Sequence, residues 1–210
     1  MEAVYQRLAP VYDLIYGVTL APGRRLAMSR LAPEAGESIL EIGVGTALGA
    51  VRYPRDCRVV AIDLSPHMLE RARARLVRRR VEHVALSRMD AAQLAFRDAQ
   101  FDAIYAPYVL NVVPDPVRVA REMLRVCRPA GRIVLLNHFD DGQGSSRQLT
   151  RLVGRLVSHI GVNWHVDLQS FLQDAGLTPS SVELVNVPRV SSVVVCYKPL
   201  DIMNAEGGPA

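Results

Sequence analysis

Apolar positions along the chain keep two alternating rhythms. Short β-rich runs at 38–43, 57–63, 81–88, 101–107 and 132–139 are separated by segments of helical period, the clearest at 65–79 and 115–127. Strands and helices in strict alternation predict an α/β fold, a doubly wound, mostly parallel sheet with helices on both faces. Ser65 followed by Pro66 is a capping side chain with a first-turn proline and marks a helix start. Near the end of the chain, 181–187 and 192–197 are β-rich and separated by only 188–191. That link is too short for a crossover helix, so the two runs are expected to form an antiparallel hairpin at one sheet edge.

Two stretches fall outside the alternation. Residues 1–35 read as helical pieces broken at Pro10 and Pro22 and are expected to form an N-terminal cover. The main domain is placed at 36–203, with a helical insertion at about 140–179 that starts in Asp140-Asp141-Gly142-Gln143-Gly144 and continues as a helix over 145–160. Additions of this length to a sheet domain are candidates for covering a ligand site. Residues 204–210, with two glycines and a proline, are expected to fray.

Composition narrows the function classes. A chain of 210 residues, 50% apolar and 22% charged, suits one compact domain with a core large enough to need no staple. Cys57, Cys127 and Cys196 are too scattered for a zinc site and fit buried thiols in a reducing compartment. Apolar runs such as 133–136 and 193–197 are far below the ~20 residues of a membrane span, and the N-terminus has no export core. The net charge is +4, and 24 of the 25 basic residues are arginine, which suits phosphate or carboxylate partners or reflects compositional bias alone. With 6% aromatic residues there is no stacking platform for nucleic acid. In the 145–160 segment, Arg147, Arg151 and Arg155 recur beside a stripe of Leu149, Leu152, Val153, Leu156 and Ile160. Such a helix either docks on anionic lipid or packs its stripe on the sheet.

The chemistry-bearing motif follows the first strand: Glu41-Ile42-Gly43-Val44-Gly45-Thr46. The glycines permit a tight turn and a close ligand approach, but Leu48 stands where a dinucleotide fingerprint needs its third glycine. Asp63 ends the second strand, where a carboxylate can accept both ribose hydroxyls, and Asp90 ends the third. Together they describe a pocket for an adenosine whose tail has no pyrophosphate.

These residues, with Ile62-Asp63-Leu64-Ser65-Pro66-x-Met68-Leu69, Asp90-Ala91, Phe101-Asp102-x-Ile104 and Arg125-x-x-Arg128-Pro129-x-Gly131-Arg132, resemble the class I S-adenosylmethionine-dependent methyltransferases over about 38–139. The resemblance implies a Rossmann-like seven-stranded sheet, S-adenosylmethionine as cofactor and no metal. It implies that Glu41, Gly43, Gly45 and Thr46 border the amino-acid end of the cofactor, and that Asp63 holds the ribose. It further implies that Leu64 and Met68 flank adenine, Asp90 and Ala91 meet its polar edge, Ala106 lies beside it, and Tyr5 and Tyr12 close over it. Leu64 and Met68 are equally compatible with plain core positions. Ala47 departs from a frequent glycine and is expected to keep a negative φ.

The flanks narrow the resemblance. Ala9-Pro10-Val11-Tyr12-Asp13-Leu14-Ile15-Tyr16-Gly17, Ala106-Pro107-Tyr108-Val109-Leu110-Asn111 and Leu136-Asn137-His138-Phe139 are similar to small bacterial phospholipid N-methyltransferases. On that resemblance the partners are phosphatidylethanolamine and an anionic membrane surface, at the cytoplasmic face and peripherally bound, with no nucleic acid and no obligatory protein partner. Tyr16 and His138 are the candidates for binding or deprotonating the amine; Tyr108, Asn137 and Arg189 are the candidate substrate contacts. Quinone C-methyltransferases share several of these features but usually carry Arg where this chain has Leu110. A soluble small-amine methyltransferase and a non-catalytic binding module are the remaining alternatives.

Overall fold

The computed structural model describes residues 19–140, 166–186 and 191–200. In chain order the elements are α1 (Ala21–Leu31), β1 (Ser38–Ile42), β2 (Arg58–Asp63), α2 (Pro66–Arg79), β3 (Val84–Arg88), β4 (Phe101–Pro107), α3 (Pro116–Val126), β5 (Cys127–Asn137), β6 (Phe139–Asp140), β7 (Val166–Asp167), α4 (Leu168–Ala175), β8 (Pro179–Val185) and β9 (Ser191–Tyr197). Among the described residues the main sheet has seven strands in the order β3-β2-β1-β4-β5-β9-β8. The first five pair in parallel, while β5–β9 and β9–β8 pair antiparallel, which is the architecture the alternation predicted. The strand order reverses between β1 and β4, the switch point where open α/β sheets take their ligands.

Both faces of the sheet are covered. Ile42, Ile62, Ile104, Ile133 and Leu135 pack with Met123 and Val126 of α3 and with Phe171 and Leu172 of α4. On the other face Ile39, Val59, Tyr105, Val134 and Leu136 pack with Ala27 and Leu31 of α1 and with Ala72 and Leu76 of α2. Buried on both faces, these strands read as continuous apolar runs rather than alternating ones. Cys57, Cys127 and Cys196 are buried free thiols.

Helix boundaries follow local chemistry. Ser65 caps α2 by accepting from the Met68 N–H at 3.4 Å, and Asp115 caps α3 by accepting from the Arg118 N–H at 2.9 Å. Each cap is followed by a proline in the first turn. Pro22, expected to break a helix, instead lies in the first turn of α1, where a missing N–H costs nothing. The third strand starts later than its apolar pattern suggested. Arg80 closes α2 in the left-handed conformation (φ 54°), so the Val81 N–H bonds back to the Leu76 carbonyl.

Helix α4, capped by Asp167 and ended by left-handed Gly176, lies in the stretch read only as an insertion. An arginine of α3 ties down a neighbouring loop. Arg125 donates to Glu122, Asp98 and the Leu94 and Phe96 carbonyls, and so fixes the loop after β3. Arg128 pairs with Asp102. The 145–160 helix with Arg147, Arg151 and Arg155, most of the N-terminal cover and the C-terminal tail lie outside the described residues.

Candidate cofactor and acceptor site

The tips of β1, β2 and β3 are tied together at their C-terminal ends. The Gly43 and Val44 N–H groups both donate to the Ile62 carbonyl, at 2.9 and 3.0 Å, and the Met89 N–H donates to the Asp63 carbonyl at 3.2 Å. Asp63 completes the junction: Oδ2 accepts from the Gly45 N–H at 2.8 Å and Oδ1 from the Ser65 N–H at 2.9 Å. Burial pushes the Asp63 carboxyl above its ordinary range, opposed by these backbone donors. A carboxylate has about four acceptor sites, so both oxygens keep capacity for a further donor.

The loop after β1 requires its glycines for different reasons. Gly43 has φ 73°, and a Cβ there would meet the Val109 side chain at 3.0 Å. Gly45 has φ 53°, and a Cβ built on it meets nothing within 4 Å among the described residues, so this backbone is open to a ligand. Ala47 contradicts the expected negative φ: it is left-handed, at 62°. The turn imposes that conformation, since the Ala47 N–H bonds back to the Val44 carbonyl at 2.9 Å. Arg75 holds the same turn from α2, with Nη1 donating to the Thr46 carbonyl at 2.5 Å and to the Thr46 hydroxyl at 2.7 Å.

Leu64 is not a core residue. It is 61% exposed immediately after Asp63 and offers an apolar platform for a flat base; Met68 is half-buried in the first turn of α2. Asp90 is exposed, with Oδ1 accepting from the Ala92 N–H at 2.8 Å, and Ala91 is buried beside it. Ala106 is fully buried inside β4. Glu41, at the end of β1, is buried below the loop, and burial raises its carboxyl to about 8 despite the opposing Tyr53 hydroxyl and Arg24 guanidinium. Glu41 Oε2 and the Tyr53 and Tyr105 hydroxyls fall short of hydrogen-bond geometry with any partner among the described residues. An open glycine backbone, a paired carboxylate and an adjacent apolar platform fit a nucleoside with an amino-acid tail.

Across the switch point lies a second polar group. Tyr108, left-handed at φ 56°, packs its ring against His138 with centroids 5.3 Å apart. Asn111 clamps the end of β5, its amide bonding both the His138 carbonyl (3.1 Å) and the His138 N–H (3.2 Å). Asn137 is fully buried, and neither polar atom of its side chain has a hydrogen-bond partner among the described residues. A buried amide left unsatisfied costs about 1–3 kcal/mol, so this one calls for a polar partner from outside the described residues.

His138, Tyr108 and Asn137 are thus brought together at one sheet edge. Tyr5, Tyr12, Tyr16 and Arg189 lie outside the described residues. The sequence reading missed Arg75, Tyr53, Tyr105, Asn186 and Ser191. Of these only Asn186 had a local signal, as a turn-forming residue at the end of a β-rich run.

Comparison with known proteins agrees with this geometry. Residues 40–135 match the family described as "Methyltransferase domain". The chain is 39% identical over 165 residues to a phosphatidylethanolamine N-methyltransferase of Cereibacter sphaeroides, covering 78% of this chain and 79% of that protein. It is 37% identical over 142 residues to a demethylmenaquinone methyltransferase of Clavibacter sepedonicus, covering 64% of this chain and 56% of that one. A putative methyltransferase from Bacillus halodurans superposes with a TM-score of 0.72 at 18% identity, over 84% of this chain and 98% of the other. A geranyl diphosphate C-methyltransferase from Streptomyces coelicolor, solved with S-adenosyl-L-homocysteine, gives 0.70 at 16% identity, over 83% and 74%. Strand order, glycine loop and paired acids therefore have one reading: the chain belongs to the S-adenosylmethionine-dependent methyltransferases of the Rossmann-like kind and uses S-adenosylmethionine as its cofactor.

Proposed function

We propose that this methyltransferase acts on the amine of phosphatidylethanolamine and its mono- and dimethyl derivatives, at the cytoplasmic face of a membrane. The observation that carries the reading is the 39% identity to a phosphatidylethanolamine N-methyltransferase, which extends over 79% of that relative. The Asn137 amide, without a hydrogen-bond partner among the described residues and next to His138, supports a polar acceptor at this edge.

When bound, S-adenosylmethionine supplies an electrophilic methyl carbon, and transfer is an in-line displacement that depends on positioning and exclusion of water. Gly43, Gly45, Asp63, Leu64, Met68, Asp90 and Ala91 would hold and orient that group, with Tyr5 and Tyr12 of the N-terminal cover closing over it. Asn137, Tyr108 and Arg189 would orient the headgroup. The ethanolamine nitrogen arrives as an ammonium and loses a proton before it can attack, and Tyr16 and His138 are the groups proposed to bind or deprotonate it. The 145–160 segment is proposed to dock on anionic lipid through Arg147, Arg151 and Arg155. No helix among the described residues is long and apolar enough to cross a membrane.

A second reading, quinone C-methylation, is favoured by the demethylmenaquinone methyltransferase relatives. Purified protein, labelled cofactor and liposomes containing phosphatidylethanolamine decide between them. Label is expected in the lipid, and label entering only demethylmenaquinone overturns the proposal. Replacing Arg147, Arg151 and Arg155 together is expected to weaken vesicle association and leave cofactor affinity unchanged.

A further inference from the structure

Helix α3 and the loop after β3 form an open cleft of about 450 Å³. Ala92 and Leu94 line it from the loop, and Arg118, Arg121, Glu122 and Arg125 from the helix. Its size is that of a small-ligand site. The cleft shares no residue with the cofactor and acceptor groups described above, although Ala92 follows directly on Asp90 and Ala91.

The charges in this cleft do not cancel. Arg125 grips Glu122 bidentately, Nε on Oε1 and Nη2 on Oε2, both at 2.8 Å, and turns Nη1 to Asp98 at 2.7 Å. That grip holds the Glu122 carboxyl below its ordinary range and takes up the one negative charge lining the cleft. Arg118 and Arg121 have no ion-pair partner among the described residues. Each is steadied instead by one N–H on a carbonyl: Arg118 Nε on Ala92 and Arg121 Nη2 on Asp174, at the end of α4, both at 2.9 Å. The Nη groups of Arg118, and Nε and Nη1 of Arg121, are left without a protein partner among the described residues. Like charges three positions apart on one helix repel, so two anchored guanidiniums face one cleft with nothing to offset them.

We infer that this cleft is a binding site for a phosphate group, held between Arg118 and Arg121 and separate from the cofactor. Guanidinium forks match oxyanions through paired, charge-assisted hydrogen bonds. A tetrahedral phosphate turns its oxygens in several directions and can meet two forks at once. The two oxygens of a carboxylate lie in one plane and are filled by a single fork. The negative charge of the phosphate also offsets the repulsion between the two arginines. Beyond the phosphate, the cleft has room for the group that carries it, along the apolar side chains of Ala92 and Leu94. That carrier is a lipid headgroup or a soluble phosphate ester. The lipid source rests on the phospholipid reading above; the phosphate site does not.

Inorganic phosphate titrated into the full chain at constant ionic strength tests the site, read through the arginine Nε–H signals in ¹H–¹⁵N spectra. Arg118 and Arg121 are assigned by the signals lost in Arg118→Gln and Arg121→Gln. Both signals are expected to shift saturably, and affinity should be lower by at least about tenfold in the double variant, as loss of two charge-assisted forks implies. Arg118→Lys, which keeps the charge without the fork, should fall between. Both side chains are exposed, so these variants should keep the melting temperature of the unsubstituted chain. No saturable shift at either arginine overturns the proposal, and equal shifts with acetate overturn the assignment to phosphate. An equal loss of affinity in Arg55→Gln/Arg73→Gln, which removes two exposed arginines elsewhere, would reduce the effect to net charge and overturn it as well. Co-sedimentation with phosphatidylcholine vesicles containing phosphatidylglycerol then separates the sources. Weaker sedimentation of the Arg118→Gln/Arg121→Gln chain than of the Arg55→Gln/Arg73→Gln chain assigns a lipid headgroup. Equal sedimentation, with phosphate binding lost only in the former, assigns a soluble ester. Failure of methyl transfer to phosphatidylethanolamine would count against the proposed function and leave the phosphate result standing.

Discussion

Asp63 is the side chain proposed to hold the cofactor's ribose, so its removal gives the sharpest prediction. Its two oxygens each hold one backbone N–H, from Gly45 and Ser65, and each retains capacity for a ribose hydroxyl. A hydrogen bond to a charged acceptor contributes about 1.5–3 kcal/mol, so losing two in Asp63→Ala should weaken the cofactor by about 3–6 kcal/mol, or about 10² to 10⁴ in Kd. Stability should change by only about 1 kcal/mol, because two lost backbone contacts are offset by relief of a desolvated carboxylate. Asp63→Asn keeps one acceptor and should fall between. The carboxylate form is the one that accepts from the ribose. With its pKa raised by burial, affinity should therefore decline as pH falls through that raised value, and this decline should be absent in Asp63→Ala. Calorimetric titration with S-adenosylhomocysteine beside thermal unfolding measures both quantities. A folded Asp63→Ala protein that binds within about fivefold of the unsubstituted chain would refute the reasoning.

Other predictions follow from neighbouring residues. Glu41 has its carboxyl raised from 4.5 to about 8 by burial, so the native state binds the extra proton and stability should be lost as pH rises through that window. The slope approaches about 1.4 kcal/mol per pH unit, and Glu41→Gln should flatten the curve in denaturant titrations from pH 5 to 8. Ala47→Gly should stabilise the protein by up to about 1 kcal/mol, since a left-handed alanine is strained; a lower melting temperature in thermal scans would count against it. Arg125→Met strands Glu122 and the Leu94 and Phe96 carbonyls and should cost about 2 kcal/mol by chemical denaturation. Because that loop carries Asp90 and Ala91, cofactor affinity should fall as well.

The chain's local pattern was sufficient for the sheet and for the identity of the cofactor. Parallel strands buried on both faces must be apolar throughout, so 38–43 and 101–107 stood out, and Gly43 and Gly45 came with the first of them as Asp63 came with the run at 57–63. The helix start at Ser65 was equally legible, because its side chain acts on backbone within three residues of itself. Tertiary structure decided everything that depends on chain segments far apart in sequence. The left-handed turn at Ala47 is held by Arg75 from the next helix, and the loop after β3 by Arg125 from another. The burial of the Asn137 amide emerges only when the surrounding elements close around it. Gly23 and Asn186 bond across 163 positions, and Ser191 and His138 across 53, so no window of sequence contains those contacts. Periodicity records the face a residue presents to its own neighbours; which polar groups meet a buried side chain depends on segments that only folding brings together, as Ser191 Oγ is brought to 3.0 Å from His138 Nδ1.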